Sequence, residues 1–387
     1  MSTQLISANH AAAEATILAA RANRSGRGFC SGVYPITPQT ECIERLCGVT
    51  IEKGDVVRVE SEHSAMGVCI GGALAGARTF TASSSNGLAY MAENVFAAGF
   101  FRLPIVMMAV NRTLGPPWNI WVDHGDTLML RDSGWIQFYC EDNQEVFDTV
   151  LLAYRLAEDA RIYLPVLVCQ DAFVLSHTMM MTDIPDQEKV DRFLPVLDLP
   201  FRVGDKPRVV GGLDFPHHTE MHKEQHIDAM KQVPAVYAGI QDEFERMFGR
   251  RPPDAVVPYR MDDAEIAVVS MGTTASTVRA AVDAARKRGI KAGGLRVRMF
   301  RPLPEESIAT ALRGCSRVAV MDRNLSPGLG GILWGEIRSL AQAKAVVQNY
   351  LVGLGGGDIR PEHVEWIVQD VTARDRAGEP VFMEAGE

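Results

Sequence analysis

No run of about 18 or more apolar residues occurs in this 387-residue chain, so no segment reads as a membrane-spanning helix. The apolar run at 103–110, LPIVMMAV, has the length of a buried strand. The N-terminus, MSTQLISANHAAAEATILAARANRSGRG, lacks a basic segment followed by an apolar one, and no signal peptide is expected. A cytoplasmic protein is therefore expected. No basic stripe is present to meet phosphates, and the formal net charge is −9, which argues against nucleic acid as the main partner. No two cysteines form a CxxC pair. The seven are scattered (Cys30, Cys42, Cys47, Cys69, Cys140, Cys169 and Cys315), as suits a reducing compartment and thiols packed as small hydrophobes. Cys42 and Cys47 have no further pair to complete an iron–sulfur site. GxGxxG, GxxxxGK[ST] and HExxH are all missing. Gly272-Thr273-Thr274 and Gly328 to Gly331 then read as packing turns, and His217, His218 and His222 as a solvated helix start. No metal site is expected on this chain.

What is present is an ordinary globular balance, with 47% hydrophobic and 22% charged residues, enough for two or three domains with ample core. The organising stretch is residues 55–94, DVVRVESEHSAMGVCIGGALAGARTFTASSSNGLAYMAEN. Val56 to Val59 reads as a strand that delivers Glu60, Glu62 and His63 to its end. A helix of glycine and alanine follows, then a strand at Arg78 to Ala82 and a turn at Ser83 to Gly87. Ligands of such parallel units sit at the carboxyl ends of the strands. Further strands are expected at 103–110, 164–169, 266–270, 294–299 and 317–322, and helices at 39–47, 144–161, 277–289 and from about 301. Strands alternating with helices predict a doubly wound parallel α/β sheet over about residues 1–180. Residues 182–220, rich in proline (Pro185, Pro195, Pro200, Pro207, Pro216), read as an extended arm. Arg250-Arg251-Pro252-Pro253 marks a boundary before a second α/β unit.

Several residues bear on chemistry. Glu62 is either a solvated helix cap or a carboxyl for proton transfer in a pocket left open by small residues. Glu60 shares its face only if the strand is still extended there. Thr37, pinned between two prolines, is a turn residue or a hydroxyl aimed at a ligand. Arg112, at a strand's carboxyl end, suits a surface ion pair or a substrate carboxylate held through two parallel bonds. The loop 113–126, TLGPPWNIWVDHGD, has no period and is long enough to be functional. Its Asp123-His124-Gly125-Asp126 reads as loop-stabilising.

Four stretches, YPITPQTECIERL, VESEHSAMGVCIGGALAGARTFTASSSNGL, VNRTLGPPWNIWVDHGDTLMLRDSGWIQFYCEDNQE and LPVLVCQDAFVLSHT, resemble the alpha subunit of the 2-oxoacid:acceptor oxidoreductases, the pyruvate:ferredoxin oxidoreductase group. SMGTTASTVRAAVDAARKRGIKAGGLRVRMFRPLPEE resembles that family's second domain. The resemblance implies a pyrimidine-type thiamine-diphosphate-binding domain over 1–250 and a transketolase-C-terminal-like domain over 260–387. It implies oxidative decarboxylation of a 2-oxo acid with coenzyme A to acyl-CoA, with ferredoxin, or NAD through a flavin subunit, as acceptor. The alternative is a non-decarboxylating thiamine enzyme or a non-catalytic scaffold subunit. Magnesium in such enzymes is held by GDG followed by Asn. Here Gly54-Asp55, Gly125-Asp126, Gly204-Asp205 and Gly357-Asp358 all fail to continue as GDG. A beta-type partner subunit would hold the diphosphate and magnesium, and an iron–sulfur subunit and a gamma-type subunit would complete a hetero-oligomer. By the same resemblance Glu62, Thr37 and Arg112 are the catalytic set. Glu62 would protonate the aminopyrimidine ring nitrogen, with Tyr34, Pro35, Ser85 and Asn86 around the cofactor. Thr37, Arg112, Trp118, Trp121 and His124 would line the substrate pocket, Arg112 on the substrate carboxylate. Where relatives resemble ALSAPINIW this chain has TLGPPWNIW. Trp118 and Pro116 replace smaller residues, which brings an aryl acid such as phenylglyoxylate alongside pyruvate, unless Trp118 faces a subunit interface.

Overall fold

The computed structural model describes residues 2–204 and 209–383. Pro207 of the expected arm and Asp205 lie outside the described residues. The chain runs β1 (Ser2–Ile6), α1 (Ala8–Ala22), β2 (Phe29–Val33), α2 (Thr40–Cys47), β3 (Gly54–Arg58), α3 (Glu62–Leu74), β4 (Arg78–Ser83), α4 (Ser85–Phe100), β5 (Ile105–Asn111), α5 (Gly125–Leu128), β6 (Ile136–Tyr139), α6 (Asn143–Ala157), β7 (Val166–Asp171), β8 (Met180–Ile184), α7 (Gln187–Phe193) and α8 (Pro216–Phe248). The second half adds β9 (Val256–Tyr259), β10 (Ile266–Ser270), α9 (Thr274–Lys287), β11 (Ala292–Val297), β12 (Met299–Arg301), α10 (Glu305–Ala311), β13 (Arg317–Asp322), α11 (Ile332–Ile337), β14 (Val346–Leu351), α12 (Pro361–Ala373) and β15 (Val381–Phe382).

The first large sheet has the order β12-β6-β7-β5-β4-β2-β3. All its pairings are parallel except β12 on β6. Chain order reverses at β2, which pairs with β3 on one side and β4 on the other. A crevice opens beyond the strand ends at such a reversal. The residues after β2, β3, β4 and β5 are the YPITP segment, Glu62, Ser83 to Ser85 and Arg112. The second sheet, β15-β14-β13-β10-β11-β9, is parallel apart from β9.

Four expectations change. Ser83 to Gly87 is not a turn alone: α4 starts at Ser85, directly after Ser84, whose hydroxyl donates to Val110 O. The stretch at 294–301 is two strands, and helix α10 begins only at Glu305. The arm is partly regular. Met180–Ile184 pairs antiparallel with Ser2–Ile6, Gln187–Phe193 is a helix, and Pro216 opens a 33-residue helix. Short elements with weak periodicity are held by tertiary partners, which no local pattern registers. Lastly, β12 returns from the second half to close the edge of the first sheet, Met299 opposite Phe138.

A buried charge cluster fixes that return. Glu145 on α6 accepts from Arg296 at 2.7 Å and Arg298 at 2.5 Å, and Arg298 also donates to Thr149 and to the Tyr237 hydroxyl. Burial alone would raise the Glu145 carboxyl, but Arg298 and Arg296 together bring it below its ordinary value. In the second sheet, Asp322 accepts from the backbone N–H of Leu333 and Trp334 at the start of α11. The glycine turn at 328–331 is thus filled by the chain's own carboxylate, which explains why it makes no phosphate cradle. Among the described residues no helix is long and apolar enough to cross a membrane.

Candidate active site

Glu62 is the first residue of α3. Its helix is started by Ser61, whose side chain accepts from the Ser64 N–H at 3.2 Å. The strand has already ended at Arg58, and the two carboxylates part company. Glu60 is exposed and accepts a hydrogen bond from the Ser64 hydroxyl at 2.5 Å, which lowers its pKa. Glu62 is 7% exposed, and burial pushes its carboxyl upward. No ion pair reaches it among the described residues. A Cβ at Gly87 would stand 2.6 Å from Glu62 Oε1 and 2.5 Å from Ser83 Oγ, so the carboxyl lies against the first turn of α4. Ser83 Oγ is buried without a hydrogen-bond partner.

This contact makes a prediction. Helix propensity alone would make Gly87→Ala stabilising by about 0.5–1 kcal/mol. Here the added methyl displaces Glu62 or Ser83, and a net loss of about 1–2 kcal/mol is expected in urea titrations, as for overpacking. A gain in stability would show that Glu62 does not depend on the glycine.

Arg112 follows β5 and is 8% exposed. Its Nε donates to Asn119 O at 3.0 Å and its Nη1 to Thr37 O at 2.8 Å. No carboxylate pairs with the guanidinium among the described residues, and desolvation lowers its pKa, partly offset by Asp126. A buried arginine resting on neutral carbonyls is poised for an incoming anion. Thr37 itself is exposed, as is Pro35, while Tyr34 O accepts from Gln39.

Asp126 ties the two halves of the site together. Its carboxylate accepts from the N–H groups of Ser85, Arg112 and Thr127 and from the Asn111 side chain, all at 2.8–2.9 Å. Burial pushes its carboxyl up to about 7 even so. Ser85 has φ +49, a backbone setting disfavoured for a residue with a side chain, and these bonds hold it there. Its hydroxyl donates to Thr113 O, and Asn86 exchanges bonds with Gly115 through both ends of its amide. Ser85 and Asn86, expected around a cofactor, therefore spend their side chains on the 113–115 loop. Asp126 is the residue that sequence reasoning undervalued. Its DHGD context was visible, but its partners are scattered over 41 positions of the chain.

His124 also has a different task from the one expected. It is 1% exposed, and its Nε2 lies 2.8 Å from Asp171 at the end of β7. Asp171 further accepts from Thr273 and faces Arg323, both from the second half. Gly272, at φ +58, has no room for a Cβ beside Asp171 and His124. This polar knot joins the domains. Trp121 is half exposed and packs on Phe173 with ring centroids 4.4 Å apart. Trp118 is 70% exposed and lies over Gly115.

Burial would raise the Asp171 carboxyl, but His124, Arg323 and Thr273 outweigh it and hold it down to about 2. A depressed carboxyl gives stability that is complete above its unfolded pKa of about 4 and lost as pH falls toward the folded value. Asp171→Asn is therefore expected to lower stability by about 2 kcal/mol near neutrality. In urea titrations the gap from wild type should close as pH falls from about 4 toward 2. A gap that stays constant with pH would remove the charge from the explanation.

The site thus places a desolvated carboxyl against the start of α4 and, beyond β5, a guanidinium with no carboxylate partner among the described residues. Among the described residues no three of His, Cys, Asp and Glu cluster to hold a metal ion. Residues 27–242, more than half the chain, match the thiamine diphosphate-binding domain of pyruvate flavodoxin/ferredoxin oxidoreductase. The chain belongs to that family. Residues 264–364 match the core domain II of pyruvate:ferredoxin oxidoreductase. Over 381 residues the chain is 43% identical to pyruvate synthase subunit PorA of Methanothermobacter thermautotrophicus, covering 97% of each protein. It is 40% identical to ketoisovalerate oxidoreductase subunit VorA of Pyrococcus furiosus, covering 95% of this chain and 93% of that one. These are alpha-type subunits, as the sequence motifs implied. The 2-oxoglutarate:ferredoxin oxidoreductase of Magnetococcus marinus superposes with a TM-score of 0.74 at 20% identity, over 95% of this chain and 65% of that one, a likeness of fold.

Glu62 fits the aminopyrimidine of thiamine diphosphate. A buried carboxyl with a raised pKa can carry the proton that a ring nitrogen accepts. The absence of a side chain at Gly87 lets the carboxyl lie against α4, and the Ser83 hydroxyl beside it has no partner of its own.

Proposed function

We propose that this chain provides the pyrimidine and substrate side of a thiamine-diphosphate-dependent 2-oxoacid:ferredoxin oxidoreductase, acting with coenzyme A. The observation that carries the reading is a pair of groups beyond the strand ends: the desolvated Glu62 carboxyl against the first turn of α4, and the Arg112 guanidinium, with no carboxylate partner among the described residues, resting on Thr37 O and Asn119 O. Thiamine diphosphate, when bound, supplies the carbon that attacks the oxo group and the sink for the electrons left after loss of carbon dioxide. Glu62 holds a proton for the pyrimidine ring. Arg112 takes the 2-oxo acid's carboxylate on the part of its fork that Thr37 O and Asn119 O do not use, and the exposed Thr37 hydroxyl stands at the crevice mouth. The lack of any GDG supports a beta-type partner for diphosphate and magnesium. An iron–sulfur subunit and a gamma-type subunit are proposed to carry the electrons away. We place the complex in the cytoplasm.

The reading is tested by assembling the complex and assaying coenzyme-A-dependent reduction of ferredoxin. The substrate panel is pyruvate, 2-oxoisovalerate, 2-oxoglutarate, indolepyruvate and phenylglyoxylate. Failure on every one would discard it in favour of a scaffold subunit. The exposed indole of Trp118 beside the Arg112 loop favours an aryl acid as a second reading. If it is correct, Trp118→Ile is expected to lower kcat/KM for phenylglyoxylate about tenfold relative to pyruvate, the scale of one lost aromatic contact. Unaltered ratios would leave Trp118 to a subunit interface.

A further inference from the structure

The two carbonyls beneath Arg112 are themselves held from one place. Asn9 on α1 donates its side-chain amide to Pro38 O at 2.7 Å and to Glu41 Oε2 at 2.9 Å, and Gln170 fixes the Asn9 amide by donating to its oxygen at 2.8 Å. Glu41 Oε1 lies 3.1 Å from His177 Nε2. This chain of contacts reaches the Thr37-Pro38 segment, whose Thr37 O receives Arg112 Nη1. The second carbonyl is reached through the ring contact of the same imidazole. His177 packs on Phe173 with centroids 4.8 Å apart, Phe173 packs on the Trp121 ring, and the Trp121 backbone N–H donates to the Asn119 side-chain oxygen at 2.7 Å. Asn119 O in turn receives Arg112 Nε.

Ser176, His177 and Glu41 also form a row suggestive of a hydrolytic triad, with Ser176 Oγ 2.8 Å from His177 Nδ1. Ser176 is 1% exposed and already accepts from the Phe173 N–H, so no substrate reaches its hydroxyl. The row's purpose is support.

We propose that His177, paired with Glu41, is a positioning residue for the 2-oxo acid's carboxylate, setting both carbonyls on which the Arg112 guanidinium rests. The proposal depends on the reading of Arg112 given above. Its mechanical content is that the arginine's fork is aimed by two loops, YPITP and 113–126, and that one imidazole braces both.

The test uses the assembled complex with His177→Phe, which keeps a ring on Phe173 but loses Glu41, with Glu41→Gln, with the double variant, and with Arg112→Met. KM for the 2-oxo acid is expected to rise about fivefold in each of the first two, the size of one net hydrogen bond, with kcat and melting temperature unchanged. His177→Gln, which can still donate to Glu41, should recover most of the KM. The double variant should be no worse than the poorer single one, since both break the same link. An unchanged KM in His177→Phe and Glu41→Gln while Arg112→Met raises it overturns the positioning role and leaves the Arg112 reading intact. A fall of kcat together with melting temperature, without rescue by His177→Gln, also overturns it by showing a merely structural part. An unchanged KM in Arg112→Met overturns both.

Discussion

Glu62→Gln, in the assembled complex, is expected to reduce turnover by about 10²–10⁴-fold, the range for a lost proton-transfer group. The amide matches the carboxyl in size and keeps the contact with the glycine turn of α4, so the fold should persist. What it cannot do is carry a transferable proton. Burial already drives the Glu62 pKa up, which favours the protonated carboxyl that the role needs. The measurement is turnover at saturating cofactor, together with thiamine diphosphate affinity by calorimetry. Binding retained with turnover lost is the expected pair. Turnover near wild type would sink the assignment, and Glu60, exposed and lowered in pKa, offers no substitute.

Arg112→Met is expected to lower kcat/KM for the 2-oxo acid about a hundredfold or more, because charge-assisted bonds to a carboxylate are about twice as strong as neutral ones. Arg112→Lys should recover little. An ammonium on a flexible stem cannot rest on Thr37 O and Asn119 O and still present a planar edge to a carboxylate. Steady-state kinetics with each variant decides it. If Arg112→Lys is as active as wild type, the carboxylate is bound elsewhere and the two carbonyls merely bury an arginine.

Much of the fold was legible beforehand. β10 and β13 show in the sequence as apolar runs between turn residues, and β4 as a short segment of β-formers set between a helix of small residues and a serine–glycine turn. α2 showed its buried Ile43 and Leu46 in its spacing. The motif resemblance led to the same family as the whole-chain match. Less visible were elements whose reason lies far away in the chain. β12 is held in place because Arg296 and Arg298, just ahead of its start, meet Glu145 on α6 about 150 positions earlier. β8 exists because the N-terminal strand lies beside it. His124 reads in sequence as a loop or pocket residue, yet it pairs with Asp171 at the end of β7, and the second domain adds Arg323 and Thr273 around that carboxylate.

The two carboxylates show the division most directly. That a Glu arrives at a strand's end ahead of a helix of small residues, that this chain has no GDG, and that its motifs are those of an alpha-type subunit are all properties of the amino-acid order. Local patterns suffice there because strand, cap and glycine-rich helix are short-range phenomena. The burial of Glu62 and exposure of Glu60, the bonds of Ser85 and Asn86 to the loop, and the tie that Asp126 makes between α4 and β5 arise instead from long-range packing. Desolvation and hydrogen-bond partnership depend on what the rest of the chain brings into contact. A carboxyl's proton is governed by those contacts rather than by its neighbours in sequence.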